Sequence, residues 1–356
     1  MKKRNFWPLL AAIFFLGSTS NKPKPKLVLY IAVDQGQQSL IEKYNHLFTG
    51  GYRWLIDHGI KFENTFHNHG YTSTGPGHYT LASGRYPGKM GIIANEWYDR
   101  DLNRSWYCVE DTSSIVLSDG STGRSYKNMN NTALGDWLKA GTPNSKVVSI
   151  SGKDRAAVFL GGKNPDMVIW NDLMGGYTTS TYYTETMPLW VKEEITKKNI
   201  PAYRDSIWNR ILPESVYNEN TRDDNTYGEA DWTMENGYSP TFPIKFDGME
   251  LSEFLKVFYA LPYGDELTIQ LGTRSLEFYK MGIDDDIDIL FLEAHWLSNF
   301  LELEHTNHHH VSFSMIIAII STLFASAGIF SAYILSLIHI SEPTRRYAIS
   351  YAVFCL

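Results

Sequence analysis

The 356-residue chain predicts an α/β fold, with a largely parallel sheet flanked by helices. Three short apolar runs carry that expectation, at residues 27–33, 146–150 and 288–292. The first reads Leu-Val-Leu-Tyr-Ile-Ala-Val. Short runs rich in β-branched and aromatic residues read as buried strands of a parallel sheet. Helix-like stretches lie between them, and strands alternating with helices define the α/β class.

The first strand ends at Asp34. Helical pieces are expected at 39–47 and 52–58, interrupted by Gly50-Gly51. Residues 131–140 predict a helix capped by Asn131 and stopped by Gly141. A helix over about 266–281 leads into the third strand. Residues 171–262 differ in character, being rich in Tyr, Trp, Asn, Asp and Thr, with helical pieces near 189–198 and 251–260. They read as a loop-rich insertion, a cap over one edge of the sheet.

Composition narrows the function. Hydrophobic residues make up 43% and charged residues 20%, the balance of a packed globule. Net charge is −7, and the body of the chain has no long basic run, which excludes a nucleic-acid binder. Two cysteines, Cys108 and Cys355, make no disulfide scaffold, though a bridge between them stays open. They are too few for a thiolate zinc site, so any metal must sit on oxygen and histidine ligands. Lys2, Lys3 and Arg4 precede an apolar stretch at 6–16 and the small residues Ser18-Thr19-Ser20. That order predicts a signal peptide over residues 1–20 and export.

Four elements carry chemistry. Asp34 sits at the carboxyl end of the first strand, where open α/β sheets bind ligands. Thr74 opens Thr-Gly-Pro-Gly-His78, with a helix beginning near Pro76. A helix N-terminus suits a phosphate, and a hydroxyl there serves as cap, nucleophile or both. Asn95 closes Gly91-Ile-Ile-Ala-Asn. Lys153 and Arg155 follow the second strand and, in an extended segment, would point the same way toward a dianion. Each has a plainer reading alone: a turn aspartate, a cap threonine, a turn asparagine and surface charge.

Taken together and in this order, the motifs are specific. Val33-Asp34-Gln35, Thr74-Gly-Pro-Gly-His, Gly91-Ile-Ile-Ala-Asn95-Glu-Trp-Tyr-Asp and Gly152-Lys-Asp-Arg155 resemble the alkaline phosphatase superfamily. They are most similar to the PafA-type alkaline phosphatases of the bacterial periplasm, over residues 24–292. The resemblance implies an alkaline phosphatase-like sheet and a periplasmic enzyme with two zinc ions. Its substrate would be a small phosphate monoester, cleaved through a phosphothreonine. On that basis Asp34 and Thr74 are expected zinc ligands and Thr74 the nucleophile. Asn95, Lys153 and Arg155 are expected to hold the phosphoryl oxygens. The Lys–Arg pair favours a monoester over a diester, leaving a phosphodiesterase or nucleotide pyrophosphatase as the second reading.

The resemblance stops after Leu292. The chain runs Glu-Ala-His295-Trp-Leu-Ser, where the family has Asp-x-x-x-His, and the family's later Asp-His and His ligands do not follow. The fold is therefore expected to be truncated in its second half and the chain inactive. Residues 293–334 read as a foreign hydrophobic tail, and 311–338 is long enough to span a membrane. His305, His308, His309 and His310 before it read as a juxtamembrane loop. Residues 335–356 resemble a translated sequencing adapter. A genuine span would make a membrane-anchored, non-catalytic protein the third reading.

Overall fold

The computed structural model describes residues 25–34, 36, 38–62, 67–221, 241–259 and 261–294, with two-residue strands at 337–338 and 351–352. The expected signal peptide, Gln35, His295, the four tail histidines and Cys355 lie outside these residues. So does the apolar run 311–338 except for its last two residues.

Five strands form the main sheet: β1 (Leu27–Val33), β2 (Val147–Ser151), β3 (Met167–Asn171), β4 (Tyr177–Thr178) and β5 (Asp288–Ala294). Their spatial order is β1-β5-β2-β3-β4. The first four in that order run parallel, and β4 joins β3 antiparallel. The sheet is that of the predicted α/β class, and the three apolar runs are three of its strands. Strand β5 continues two residues past Leu292, with Ala32 opposite Glu293 and Val33 opposite Ala294.

Every residue of β2, β3 and β5 is buried. Both faces of the sheet are covered, which is why the runs are continuously apolar. Successive side chains point to opposite faces. Leu29, Ile31, Ile150, Ile169, Leu290 and Leu292 pack on one side. Tyr30, Ala32, Val147, Val168, Trp170, Ile289 and Phe291 pack on the other.

Among the helices that supply the cover are α1 (Gly50–His58), α2 (Thr74–Ser83), α3 (Leu134–Gly141), α4 (Asp154–Gly161), α5 (Leu189–Lys198), α6 (Leu251–Phe258) and α7 (Pro262–Tyr279). Tyr52, Trp190, Phe254 and Leu271 bring α1, α5, α6 and α7 onto the first face. Tyr79, Ala157, Phe159 and Leu160 bring α2 and α4 onto the second. Tyr79 and Phe159 stack with ring centroids 5.3 Å apart, locking α2 to α4. Residues 171–262 contribute α5 and α6 near the positions read from sequence.

Two local expectations are corrected. Gly50-Gly51 does not interrupt a helix but starts one. Gly50 has φ 65°, a left-handed value that glycine adopts without strain, and it turns the chain into α1. Asn131 does not cap α3. The helix begins at Leu134, and the Asp136 carboxylate accepts the Ala133 backbone N–H at 2.8 Å. Asn131 is used elsewhere, its Nδ2 donating to the Lys89 carbonyl at 3.1 Å. Cys108 is a buried free thiol.

The turn from α6 into α7 requires a close approach. A Cβ added at Gly264 would lie 2.7 Å from the Phe258 carbonyl oxygen and 2.8 Å from the Tyr259 Cα. Both are backbone atoms and cannot swing away. Gly264→Ala is therefore expected to cost about 1–3 kcal/mol, the range of an overpacked core. Urea unfolding checks this, and an unchanged midpoint would show that the turn relaxes freely.

Candidate active site

The carboxyl ends of β1, β5 and β2 meet at one edge of the sheet. Asp34 follows β1 directly and is 2% exposed. Its backbone N–H donates to the Ala294 carbonyl at 2.9 Å, holding it beside the end of β5. Lys153 follows β2, and its Nζ donates to Asp34 Oδ2 at 2.5 Å. The two strand ends are joined across β5, which lies between them. At that end of β5, the buried Glu293 accepts a hydrogen bond from Ser151 Oγ at 2.6 Å.

Thr74 is the first residue of α2 and is 5% exposed. It is not the cap. Ser73 holds that place in an extended conformation, with φ −69° and ψ 164°. The shift by one residue puts Thr74 in the first turn. Among the described residues nothing hydrogen-bonds its hydroxyl. Its carbonyl is in contact with His78 Nδ1 at 2.8 Å. His78 is fully buried, and burial holds its pKa below the ordinary histidine value, against the pull of Asp34 and Glu293.

Asn95 lies against the same turn. The Gly75 backbone N–H donates to Asn95 Oδ1 at 2.7 Å. This orients the amide, because the oxygen is engaged and the Nδ2 hydrogens are left for another acceptor. Packing is close at Gly75, where a Cβ would lie 3.1 Å from Asn95 Oδ1 and 3.2 Å from Cys108 Sγ.

Lys153 and Arg155 converge, but not by strand alternation. Lys153 is the N-cap of α4, and Arg155 lies in that helix's first turn. Both line a cavity of about 340 Å³, with Arg124, Asn171, Asp172 and Tyr259 on its other sides. Burial alone would lower the Arg155 guanidinium, but Tyr107 and Asp154 more than offset it and hold it above its ordinary value.

The direct links on this edge are Asp34 with Lys153, and Asn95 with the residue after Thr74. His78 bridges these groups electrostatically, feeling Asp34, Glu293 and Lys153 together. Glu293, Tyr107 and Asp154 escaped the sequence reading. Glu293 lies beyond the last family-like residue. Tyr107 lies on the second strand of a hairpin, outside the motifs, and Asp154 reads as a plain helix-start carboxylate.

The residues do not by themselves fit a zinc pair. Among the described residues no group of three or more His, Cys, Asp or Glu side chains is placed to share a metal ion. Asp34 and Thr74 offer two donors, whereas zinc takes about four ligands. The cation on the Asp34 carboxylate is the Lys153 ammonium. Nor is any described helix long and apolar enough to cross a membrane.

A threonine-headed helix and the cations of Lys153 and Arg155 thus accompany a largely parallel sheet. The sequence model of the type I phosphodiesterase / nucleotide pyrophosphatase family matches residues 28–248, more than half of the chain. The chain belongs to that family, within the alkaline phosphatase superfamily, as a PafA-like N-terminal part. It is 32% identical over 279 residues to alkaline phosphatase PafA of Elizabethkingia meningoseptica, covering 76% of this chain and 50% of the relative. It is 30% identical over 296 residues to alkaline phosphatase PhoV of Synechococcus elongatus, covering 80% and 53%. The chain thus spans about half the length of these curated relatives. The crystal structure of wild-type alkaline phosphatase PafA superposes with a TM-score of 0.70 at 29% identity, over 85% of this chain and 59% of that one. A solved PafA mutant is substituted at a threonine, an asparagine, a lysine and an arginine. Its threonine and asparagine lie 21 positions apart and its lysine and arginine two apart, the spacings of Thr74 to Asn95 and Lys153 to Arg155.

The Asp34–Lys153 pair is buried, and removing one partner strands the other charge. Lys153→Met is expected to lower the unfolding free energy by about 3–5 kcal/mol. Asp34→Asn combined with Lys153→Met should lose less than the sum of the single changes. A denaturation double-mutant cycle reads this, and strictly additive losses would contradict the pairing.

Proposed function

We propose that the carboxyl edge of the sheet binds the phosphoryl group of a small phosphate monoester, with Thr74 as the phosphoryl acceptor. One observation supports the reading: Thr74 stands in the first turn of a buried helix whose next residue, Gly75, donates its N–H to Asn95. The helix N-terminus presents free N–H groups and the positive end of its dipole. Lys153 and Arg155 add two cations, and charge-assisted hydrogen bonds are the strong ones. The spacing match to the substituted PafA residues supports the same assignment.

Two cations and an amide donor suit the extra negative charge of a monoester over a diester. A diesterase or pyrophosphatase is the second reading, favoured by the family's own description. Transfer to Thr74 would form an Oγ–P bond and break the ester P–O bond, and water would then cleave the phosphothreonine. A threonine hydroxyl is a poor nucleophile at neutral pH and is activated by a base or a metal. His78 Nδ1 is engaged with the Thr74 carbonyl. Asp34 and Thr74 would be two donors to an activating zinc, and the described residues do not complete such a site. The 356-residue chain is therefore expected to bind phosphate with little turnover. Export to the periplasm, directed by residues 1–20, belongs to the same reading.

Calorimetric titration with inorganic phosphate tests it. Asn95→Ala, Lys153→Ala and Arg155→Ala should each weaken binding, by about tenfold or more for the two cations. Competition with a monoester and a diester separates the two readings. Arg155→Ala should weaken the monoester more, and equal loss for both would favour the diesterase. Absence of phosphate binding, or robust zinc-dependent turnover by this chain, would overturn the corresponding part.

A further inference from the structure

The strands Glu96–Asp99 and Arg104–Tyr107 form an antiparallel hairpin, with Glu96 opposite Tyr107. Its root is closed by the Cys108 backbone N–H, which donates to the Asn95 carbonyl at 2.9 Å. Asn95 and Tyr107 therefore leave the same end of one small sheet. Asn95 turns to Gly75, as described. Tyr107 turns to Arg155.

The Tyr107 hydroxyl accepts a hydrogen bond from Arg155 Nη1 at 3.0 Å and donates one to Asp154 Oδ1 at 2.6 Å. A phenol has one proton to give. Because Asp154 takes it, the oxygen faces Arg155 as an acceptor. Asp154 is itself held, with its Oδ2 accepting from Arg124 Nε at 2.8 Å. The Arg124 guanidinium also lies 5.1 Å from the centroid of the Tyr107 ring. Arg155 Nη1 stays 3.7 Å from Asp154 Oδ1, beyond hydrogen-bond reach, so the tyrosine is the link between them. Among the described residues, Arg155 Nε is buried without an acceptor. A buried guanidinium donor left unmatched is uncommon, and a bound oxyanion is the kind of partner it calls for.

We infer that Tyr107, oriented by Asp154, is a positioning residue that fixes the Arg155 guanidinium for a phosphate dianion. This rests on the reading of Arg155 as a phosphoryl-oxygen donor. An arginine held in place before binding has fewer rotamers to lose when the anion arrives. The hairpin then orients two phosphate donors from one root: Asn95 directly, and Arg155 through Tyr107. Burial, and then the Asp154 charge, push the Tyr107 phenol well above its ordinary pKa, so it stays a neutral donor throughout the physiological range.

The test is a double-mutant cycle on the full chain, with inorganic phosphate as the probe in calorimetry. Tyr107→Phe should weaken phosphate binding about fivefold, the size of one lost hydrogen bond. In an Arg155→Ala background it should have no further effect. A purely structural role for Tyr107 would cost the same in both backgrounds, and that result would overturn the inference, as would an unchanged affinity. Asp154→Asn keeps an acceptor oxygen and should retain more affinity than Asp154→Ala. Side-chain ¹⁵N NMR of Arg155 gives a second reading that does not need phosphate. Slow guanidinium rotation in the parent and faster rotation in Tyr107→Phe support positioning, and identical rotation overturns it. A parent that binds no phosphate but shows that difference would sink the phosphate reading and leave the positioning standing.

Discussion

The parallel register of β1, β5 and β2 is the constraint on which the site depends. Leu27 pairs with Asp288 and Val33 with Ala294, while Glu293 pairs with Ser151. β1 and β5 end together and β2 ends one pair earlier, so the residues that follow β1 and β2 emerge at one edge. Asp34, Glu293 and Lys153 come from three distant parts of the chain and are brought together by that register alone. A slip of one residue would turn Asp34 to the other face of the sheet and exchange the two sets of packed side chains.

Around that edge, three carboxylates, buried or half-buried, each have a partner. The Lys153 ammonium sits on Asp34, Ser151 donates to Glu293, and Arg124 holds Asp154. A buried charge without such partners would cost several kcal/mol or lose its ionisation. The pairs are also geometric devices. Each fixes the direction of a side chain that would otherwise have rotamers to spare. The helix α2 is fixed by different means, through the stack of Tyr79 on Phe159 and the close packing at Gly75.

The sheet was legible because its signal is strong and local. Doubly covered strands must be apolar throughout, so residues 27–33, 146–150 and 288–292 announced themselves. The proposed site residues could be read only as a set, since Asp34, Thr74, Asn95, Lys153 and Arg155 each have an ordinary reading alone. Finer geometry was not. Asn131 looks like a cap, but the helix starts three residues later, where Asp136 reaches back to the Ala133 N–H. Lys153 and Arg155 look like alternating strand residues, yet Asp154 starts a helix between them. Tyr107 could not be found at all, because its role depends on a contact 48 positions away.

The central claim is that this edge receives a phosphoryl group at Thr74. A crystal structure of the chain soaked with tungstate, a tetrahedral dianion, addresses it most directly. The account predicts one anion beside the Thr74 hydroxyl, contacted by Asn95 Nδ2, the Lys153 ammonium and the Arg155 guanidinium. An anion bound elsewhere, with Thr74 and Arg155 untouched, would contradict it.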